Sequence, residues 1–328
     1  MPRPDAQTIR QNLRTWFQKN GRDLPWRRTQ DPYAIMVSEF MLQQTTVTAV
    51  IPYFERWMAT FPTPQALAAA DEQTVLHLWQ GLGYYSRARN LHKAAKAISS
   101  QYDGKIPADV AVLRSLPGVG DYTAGAVVAF AFDAAVPVID ANIARVLARL
   151  NDYRNPIDDT VGKAFLTQAA AELLPQKGGR IHTSALMELG ALVCLSRKAM
   201  CLVCPVKTQC KTTDPESLPL KRARAETTHL LEKRSFIFER DKLWLQPSIG
   251  PRWKGLWLLP ESQGANRPAD HVEIYPITRY RITMYIHQEA IASHHPKDLT
   301  PFSAAALPPM PSPHKRAVEA IFRKIASR

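Results

Sequence analysis

Leu116-Pro117-Gly118-Val119-Gly120-Asp121-Tyr122-Thr123 lies between two stretches of helical character, 109–115 and 121–132. Two glycines around one apolar residue permit positive φ and a tight turn, which leaves backbone N–H groups pointing outward. The second helix starts at that turn, so its positive dipole end faces the same way. Gly118, Val119 and Gly120 can therefore grip one phosphate of a nucleic-acid backbone without reading a base. An ordinary helix–helix turn has the same residues, so the decision between them comes from the rest of the chain.

Downstream, Cys194, Cys201, Cys204 and Cys210 are the only cysteines in 328 residues, spaced C-x6-C-x2-C-x5-C. Four thiolates in one loop make a tetrahedral site for zinc or for an iron–sulfur cluster. The spacing alone does not choose between them. The polar start, Met1-Pro2-Arg3-Pro4-Asp5, shows no export signal, which favours metal ligation over disulfides. The net charge of +13 favours a polyanionic partner. No apolar stretch is long enough to span a bilayer; the longest, 124–135, includes Asp133.

Residues 8 to 195 carry helical apolar spacing, as at Ile9, Leu13, Trp16 and Phe17 or at Leu91, Ala94, Ala95 and Ile98. We expect a helical domain over 1–212, a basic linker over 213–232 and a smaller α+β domain over 233–328. In the last, Phe236-Ile237-Phe238 and Leu243-Trp244-Leu245 read as a hairpin around 239–242. Residues 255–259 read as a strand, and so does the alternation Tyr280, Ile282, Met284, Ile286. A final helix is expected over 314–325.

The hairpin, Asp140 beyond it and the cysteine spacing resemble the endonuclease III superfamily of DNA base-excision glycosylases. The resemblance implies that the cysteine loop holds a [4Fe–4S] cluster. Leu24-Pro25-Trp26-Arg27, the run from Ser38 to Thr45, Ile51-Pro52-Tyr53-Phe54 and Gly81-Leu82-Gly83-Tyr84-Tyr85-Ser86-Arg87 narrow it further. Over 24 to 210 the chain is similar to the MutY-type adenine DNA glycosylases, which remove adenine mispaired with 8-oxoguanine. Members with lyase activity carry a lysine where this chain has Tyr122. A phenol forms no imine, so lyase chemistry at this residue is excluded.

The chemistry implied by the resemblance suits the residues. Glu39, flanked by Ile35, Met36, Phe40 and Met41, is expected to be a general acid whose pKa burial raises. It would protonate adenine at N7. Asp140, as a carboxylate, would stabilise the positive sugar or bond C1′ transiently, as in retaining glycosidases; it would also cap the helix at 143–150. Tyr122 and Asn142 match positions that orient the two acids. The target base must leave the stack. Gln44 and Tyr84 match residues that fill the gap and touch the 8-oxoguanine side; Leu42, Gln43 and Thr45 share that run. For Tyr84, core packing beside Tyr85 is the competing reading. Trp26 and Arg27 match the edge of the adenine pocket. Arg87 and Arg89 suit phosphate contacts or, equally, a solvated helix face. Arg197, Lys198 and Lys207 place further cations in the cysteine loop.

Two departures stand out. Ser184 occupies a position where the family has a carboxylate or amide touching adenine, and Glu188 lies one turn on. The C-terminal domain resembles a MutT-like (Nudix-like) domain through Arg252-Trp253-Lys254-Gly255-Leu256-Trp257-Leu258-Leu259-Pro260, but it has no glutamate-rich metal helix and reads as non-hydrolytic. The Phe-Ser-His loop that senses 8-oxoguanine in the family aligns with Tyr280-Arg281-Ile282; Ser293-His294-His295 is a displaced candidate. The implied protein is a cytoplasmic, nucleoid-associated monomer acting on double-stranded DNA with an adenine mismatch, away from any membrane. The competing readings are a relative that removes thymine opposite guanine, and a non-catalytic DNA-binding relative.

Overall fold

A computed structural model of the chain describes residues 6–223, 226–262, 267–291 and 299–327. The chain folds as two compact units. One takes Met1–Ala69 and Asn90–Ala223; the other takes Ala70–Arg89 and Arg224–Arg328. The expected helical domain over 1–212 thus gives up residues 70–89 to the second unit.

The first unit is helical: α1 (Ala6–Asn20), α2 (Pro32–Leu42), α3 (Val47–Thr60), α4 (Pro64–Ala69), and, after α5 (Glu72–Trp79) of the second unit, α6 (Ser86–Gln101), inside which the boundary falls. There follow α7 (Val110–Arg114), α8 (Asp121–Phe132), α9 (Ala141–Leu150), α10 (Thr160–Leu173) and α11 (Gly179–Leu192). Among the described residues no helix is long and apolar enough to cross a membrane.

Helix α2 is buried from Tyr33 to Met41, as its apolar composition on all faces requires. Asp31 caps it by accepting from the Tyr33 N–H, and Pro32 supplies a preset first turn. Helices α9 and α11 share a core of Ile143, Leu147, Ala185, Leu186 and Leu189 with Ile9 and Leu13 of α1. Asp109 caps α7 by accepting from the Val112 N–H. The chain then turns through Gly118 at φ 76°. A Cβ there would also meet the Asn90 Cβ at 2.5 Å, so the position takes only glycine. Gly120 behaves differently from the expectation: it is extended (φ −93°) and serves as the cap of α8. Val119 turns inward and is buried.

The second unit carries a mixed sheet of β1 (Thr228–Glu239), β2 (Lys242–Pro247), β3 (Trp257–Leu258), β4 (His271–Ile277), β5 (Tyr280–Gln288) and β6 (Thr300–Ser303), with α12 (Ser312–Ala326). The strand order is β3-β2-β1-β5-β4, with β6 also beside β2. The β1–β5 pair is parallel, Leu230 opposite Ile282, and the other pairs are antiparallel. Ile282, Met284 and Ile286 line one buried face, as the alternation requires, and the register places Phe236 of β1 on that face too. The expected hairpin turns at Arg240 and Asp241, both with positive φ.

Three features differ from the sequence reading. Strand β1 starts at Thr228, inside the stretch read as linker, because Thr228 already pairs with Tyr280. The strand expected over 255–259 is confined to Trp257 and Leu258. Strands β4 and β6 were not expected at all. Tyr280-Arg281-Ile282 is ladder-paired strand, as its alternation predicts; Ser293-His294-His295 lies outside the described residues.

Candidate active site

The helical unit contains a cleft of about 750 Å³, within the range of small-molecule sites. The C-terminal end of α2, the hairpin before α8, the start of α9 and one face of α11 line it. Glu39, Leu42, Gln43, Gln44 and Thr45 reach it, as do Gly118 and Gly120, Tyr122, Asp140, Asn142, Trp26, Arg27 and Ser184. Thirteen positions singled out from the sequence therefore meet at one cavity. Gln44 stands in the left-handed region at φ 57°, at the mouth of α2.

Glu39 is 4% exposed. Its Oε2 accepts a 2.7 Å hydrogen bond from the Tyr122 hydroxyl. Burial pushes the Glu39 carboxyl up; the Tyr122 bond and Arg27 pull it down, Asp140 pushes it further up, and it settles at about 7. Such a group holds its proton for much of the time near neutrality and can give it away. Burial also raises the Tyr122 phenol, with Glu39 and Asp140 adding to the effect, so it stays protonated and donates.

Asp140 caps α9. One carboxyl oxygen accepts a 2.6 Å bond from the Ile143 N–H, and the other a 2.9 Å bond from Asn142 Nδ2. Burial raises this carboxyl, against the Ile143 and Asn142 bonds that favour its ionised form. Capping and placement in the cleft coincide at this residue. Asn142 is held in turn by Arg145 Nη2 at 2.8 Å. Arg145 also donates to the carbonyls of Gly190 and Cys194, both at 2.7 Å. The sequence reading missed Arg145, although its place one turn after Asn142 was visible.

It missed a second tie. Glu188, fully buried, takes Arg22 Nε on one oxygen at 2.6 Å and Arg27 Nη2 on the other at 2.7 Å. Burial alone would raise the Glu188 carboxyl, but the two arginines outweigh it and bring it to about 2. Glu188 is thus committed as an anion and is not free to replace the acid that Ser184 lacks. Ser184 itself is buried on the cleft wall. Trp26 packs edge-on against Phe54 and lines the cleft, as does Arg27.

The cysteine loop runs over short helical turns after α11. Cys194, Cys204 and Cys210 pack against the helical core, while Cys201 is exposed. Buried Arg149 donates to Cys194 Sγ at 3.3 Å and to the Leu195 carbonyl at 2.6 Å. Burial pushes the Cys204 thiol up to about 11, and the other three cysteines add to it. Among the described residues, no three or more histidine, cysteine or acidic side chains are gathered so as to hold a metal ion. The four thiols are neighbours without forming a closed ligand set.

Three residues proposed from the sequence, Tyr84, Arg87 and Arg89, fall in the other unit, where Arg89 donates to the Lys254 carbonyl. Tyr84 is 47% exposed, with φ 46°, which removes the core-packing alternative; Tyr85 is the buried one. Arg87 does not lie on a solvated face. It is buried, and its guanidinium donates to the carbonyls of Leu82 at 2.9 Å and Gly83 at 3.1 Å.

Residues 37–168 match the family model described as "HhH-GPD superfamily base excision DNA repair protein". The chain is 45% identical over 195 residues to the adenine DNA glycosylase of Mycolicibacterium smegmatis, covering 59% of this chain and 66% of that protein. It is 33% identical over 251 residues to the adenine DNA glycosylase of Buchnera aphidicola subsp. Acyrthosiphon pisum, covering 75% and 72%. With the human adenine DNA glycosylase it is 38% identical over 256 residues, which is 75% of this chain and 45% of the human protein. Among solved structures it is similar to a thermostable thymine-DNA glycosylase (TM-score 0.56, 26% identity, 63% of this chain and 95% of that one). It is likewise similar to a trapped endonuclease III–DNA covalent intermediate (TM-score 0.54, 25% identity, 65% and 96%).

Proposed function

The chain belongs to the MutY-type adenine DNA glycosylases of the HhH-GPD superfamily, and on that premise we propose that it removes adenine mispaired with 8-oxoguanine or guanine from duplex DNA, by hydrolysis and without lyase activity. The observation that carries this reading is the Tyr122–Glu39 hydrogen bond on the cleft that also holds Asp140. Glu39, poised at about 7, protonates the extruded adenine at N7. The C1′–N9 bond breaks with its electron pair going to the base. Asp140, as a carboxylate held by Ile143 and Asn142, offsets the positive charge left on the sugar. Water adds at C1′ and loses a proton, leaving an abasic site. Tyr122 keeps Glu39 oriented and supplies no amine for an imine.

Gly118, Gly120 and the start of α8 would hold a backbone phosphate. Gln44 and Thr45 would fill the space that the base leaves, and Tyr84 would touch the opposite base. Trp26, Arg27 and Ser184 would border the adenine. Cys194, Cys201, Cys204 and Cys210 would hold a [4Fe–4S] cluster, which when bound supplies a structural tie for the loop. The cationic N–H that Arg149 directs at Cys194 Sγ fits an anionic thiolate ligand. The domain from 233 onward would be a MutT-like module that binds and does not hydrolyse. The protein would act as a monomer on DNA in the cytoplasm.

A base-release assay over duplexes with A opposite 8-oxoguanine, A opposite G, T opposite G and matched pairs tests the reading, with heat and alkali revealing abasic sites. Release confined to adenine supports it; release of thymine, or of no base, contradicts it. A large preference for 8-oxoguanine over guanine opposite the adenine would show that the sensing function survives without the Phe-Ser-His loop.

A further inference from the structure

Residues 70–89 share a compact unit with the C-terminal sheet. That placement has a local cause at each end of the strap. At its first end, α5 lies against the turn at Gly255 (φ 78°), where a Cβ would stand 3.2 Å from Glu72 Oε1 and 3.4 Å from Leu76 Cδ1. Gln73 Nε2 donates to the Gly255 carbonyl at 3.4 Å. At the other end, the buried Tyr85 donates its hydroxyl to the Met310 carbonyl at 2.9 Å. Arg89 Nη1 donates to the Lys254 carbonyl. The acceptor at Met310 is itself fixed. It lies in Pro308-Pro309-Met310-Pro311, whose prolines lock φ, and the Trp257 N–H of β3 bonds the Pro309 carbonyl at 3.0 Å.

Between these fastenings the chain turns through Gly81, Gly83 and Tyr84, all with positive φ. Trp79 Nε1 donates to the Gly83 carbonyl at 3.0 Å. The Arg87 guanidinium donates to the Leu82 and Gly83 carbonyls and lies 5.3 Å from the Trp79 ring centre and 5.6 Å from that of Tyr84. The turn is therefore braced from within, and it presents one large exposed ring, Tyr84. A non-glycine residue at positive φ is costly and persists only where its surroundings hold it there.

We infer that the C-terminal α+β domain serves as the mount for the Tyr84 turn, with Tyr85 and Arg89 as positioning residues that aim Tyr84 at the mispair. This rests on the assignment of Tyr84 as a mispair contact. It gives the domain a part in specificity that needs no direct contact with the oxidised base. Tyr280-Arg281-Ile282 is paired strand, and the mount does not involve it.

The test is a double-mutant cycle on the full-length protein. Affinity is measured for a duplex with 8-oxoguanine opposite a 2′-fluoro-deoxyadenosine that resists excision, and for the matched duplex. Tyr84→Ala removes a stacked ring and should weaken mispair binding by about tenfold or more. Tyr85→Phe deletes only the hydroxyl and keeps the buried ring, so it folds; it should weaken mispair binding by about three- to tenfold. Arg89→Met should act in the same direction. The double variant Tyr84→Ala/Tyr85→Phe should bind no worse than Tyr84→Ala, because a mount without its ring has nothing to aim. Matched-duplex affinity should stay within twofold for Tyr85→Phe, on the order of the scatter of such cycles. If Tyr84→Ala does not weaken mispair binding, the assignment of Tyr84 fails and the inference goes with it. If Tyr84→Ala weakens binding while Tyr85→Phe is silent, or the two effects add, the mount is refuted and the assignment of Tyr84 stands.

Discussion

The Tyr122 hydroxyl donates a 2.7 Å hydrogen bond to Glu39 Oε2, joining α8 to α2 across 83 residues of chain. This bond stabilises the ionised carboxylate and so works against the burial that lifts Glu39 to about 7. Tyr122→Phe should therefore move the alkaline limb of the excision rate to higher pH. It should also slow excision at its plateau by about tenfold, as the loss of one hydrogen bond to a charged group implies. Single-turnover rates from pH 5 to 9 check both, where the pH range is roughly that over which such a carboxyl titrates. A limb that moves to lower pH would contradict the assignment.

Glu39 should cost stability at neutral pH. Its folded pKa, about 7, lies above the ordinary 4.5. Below the ordinary value the group is neutral in both states and contributes nothing. As pH rises from there towards 7, the unfolded chain releases a proton that the folded chain retains, and stability falls. Glu39→Gln carries no such term. It should be more stable than the wild-type protein above pH 7 by on the order of 3 kcal/mol, with the gap closing below about pH 4.5. Urea unfolding of both proteins at pH 4.5 and pH 8 measures it, pH values that bracket roughly the whole transition.

Glu188 should act in the opposite direction. Its folded pKa, about 2, lies below the ordinary 4.5, so its contribution is present above the ordinary value and is lost as pH falls towards 2. Glu188→Gln leaves Arg22 and Arg27 without their shared anion. Such a loss in a buried network should destabilise the protein by about 3 kcal/mol. The same denaturant series at neutral pH checks this.

These two acids show what the sequence could and could not reveal. Glu39 was legible because its apolar neighbours Ile35, Met36, Phe40 and Met41 are local and announce burial. Gly118 was legible because a positive-φ turn demands it. The Glu188 tie was not, because Arg27 and Arg22 stand 161 and 166 residues away and no local pattern marks such a pairing. The same distance problem hid the strap: Tyr85 meets Met310 across 225 residues, so a domain boundary drawn from composition at 212 could not place residues 70–89 with the sheet. The burial of Arg87 was not legible because a cation on a helix normally faces water, and here two loop carbonyls draw it inward. Strand β4 was passed over because Pro276 and polar residues interrupt its alternation. The parallel β1–β5 pairing likewise depends on partners about 50 residues apart, beyond what local periodicity reports.

The cysteine loop makes a separate prediction. Purified protein should be coloured and contain iron and acid-labile sulfide in equal amounts, with zinc absent. Cys204→Ala should lose both and become sensitive to proteolysis after Leu192. Zinc in place of iron, with no colour, would overturn the cluster assignment.

The most direct measurement is single-turnover release of adenine opposite 8-oxoguanine by Glu39→Gln, with duplex binding followed in parallel. A general acid contributes roughly 10²- to 10⁴-fold, and the account predicts a loss of that size while binding of the mispair persists. Adenine release by Glu39→Gln at the wild-type rate would contradict it.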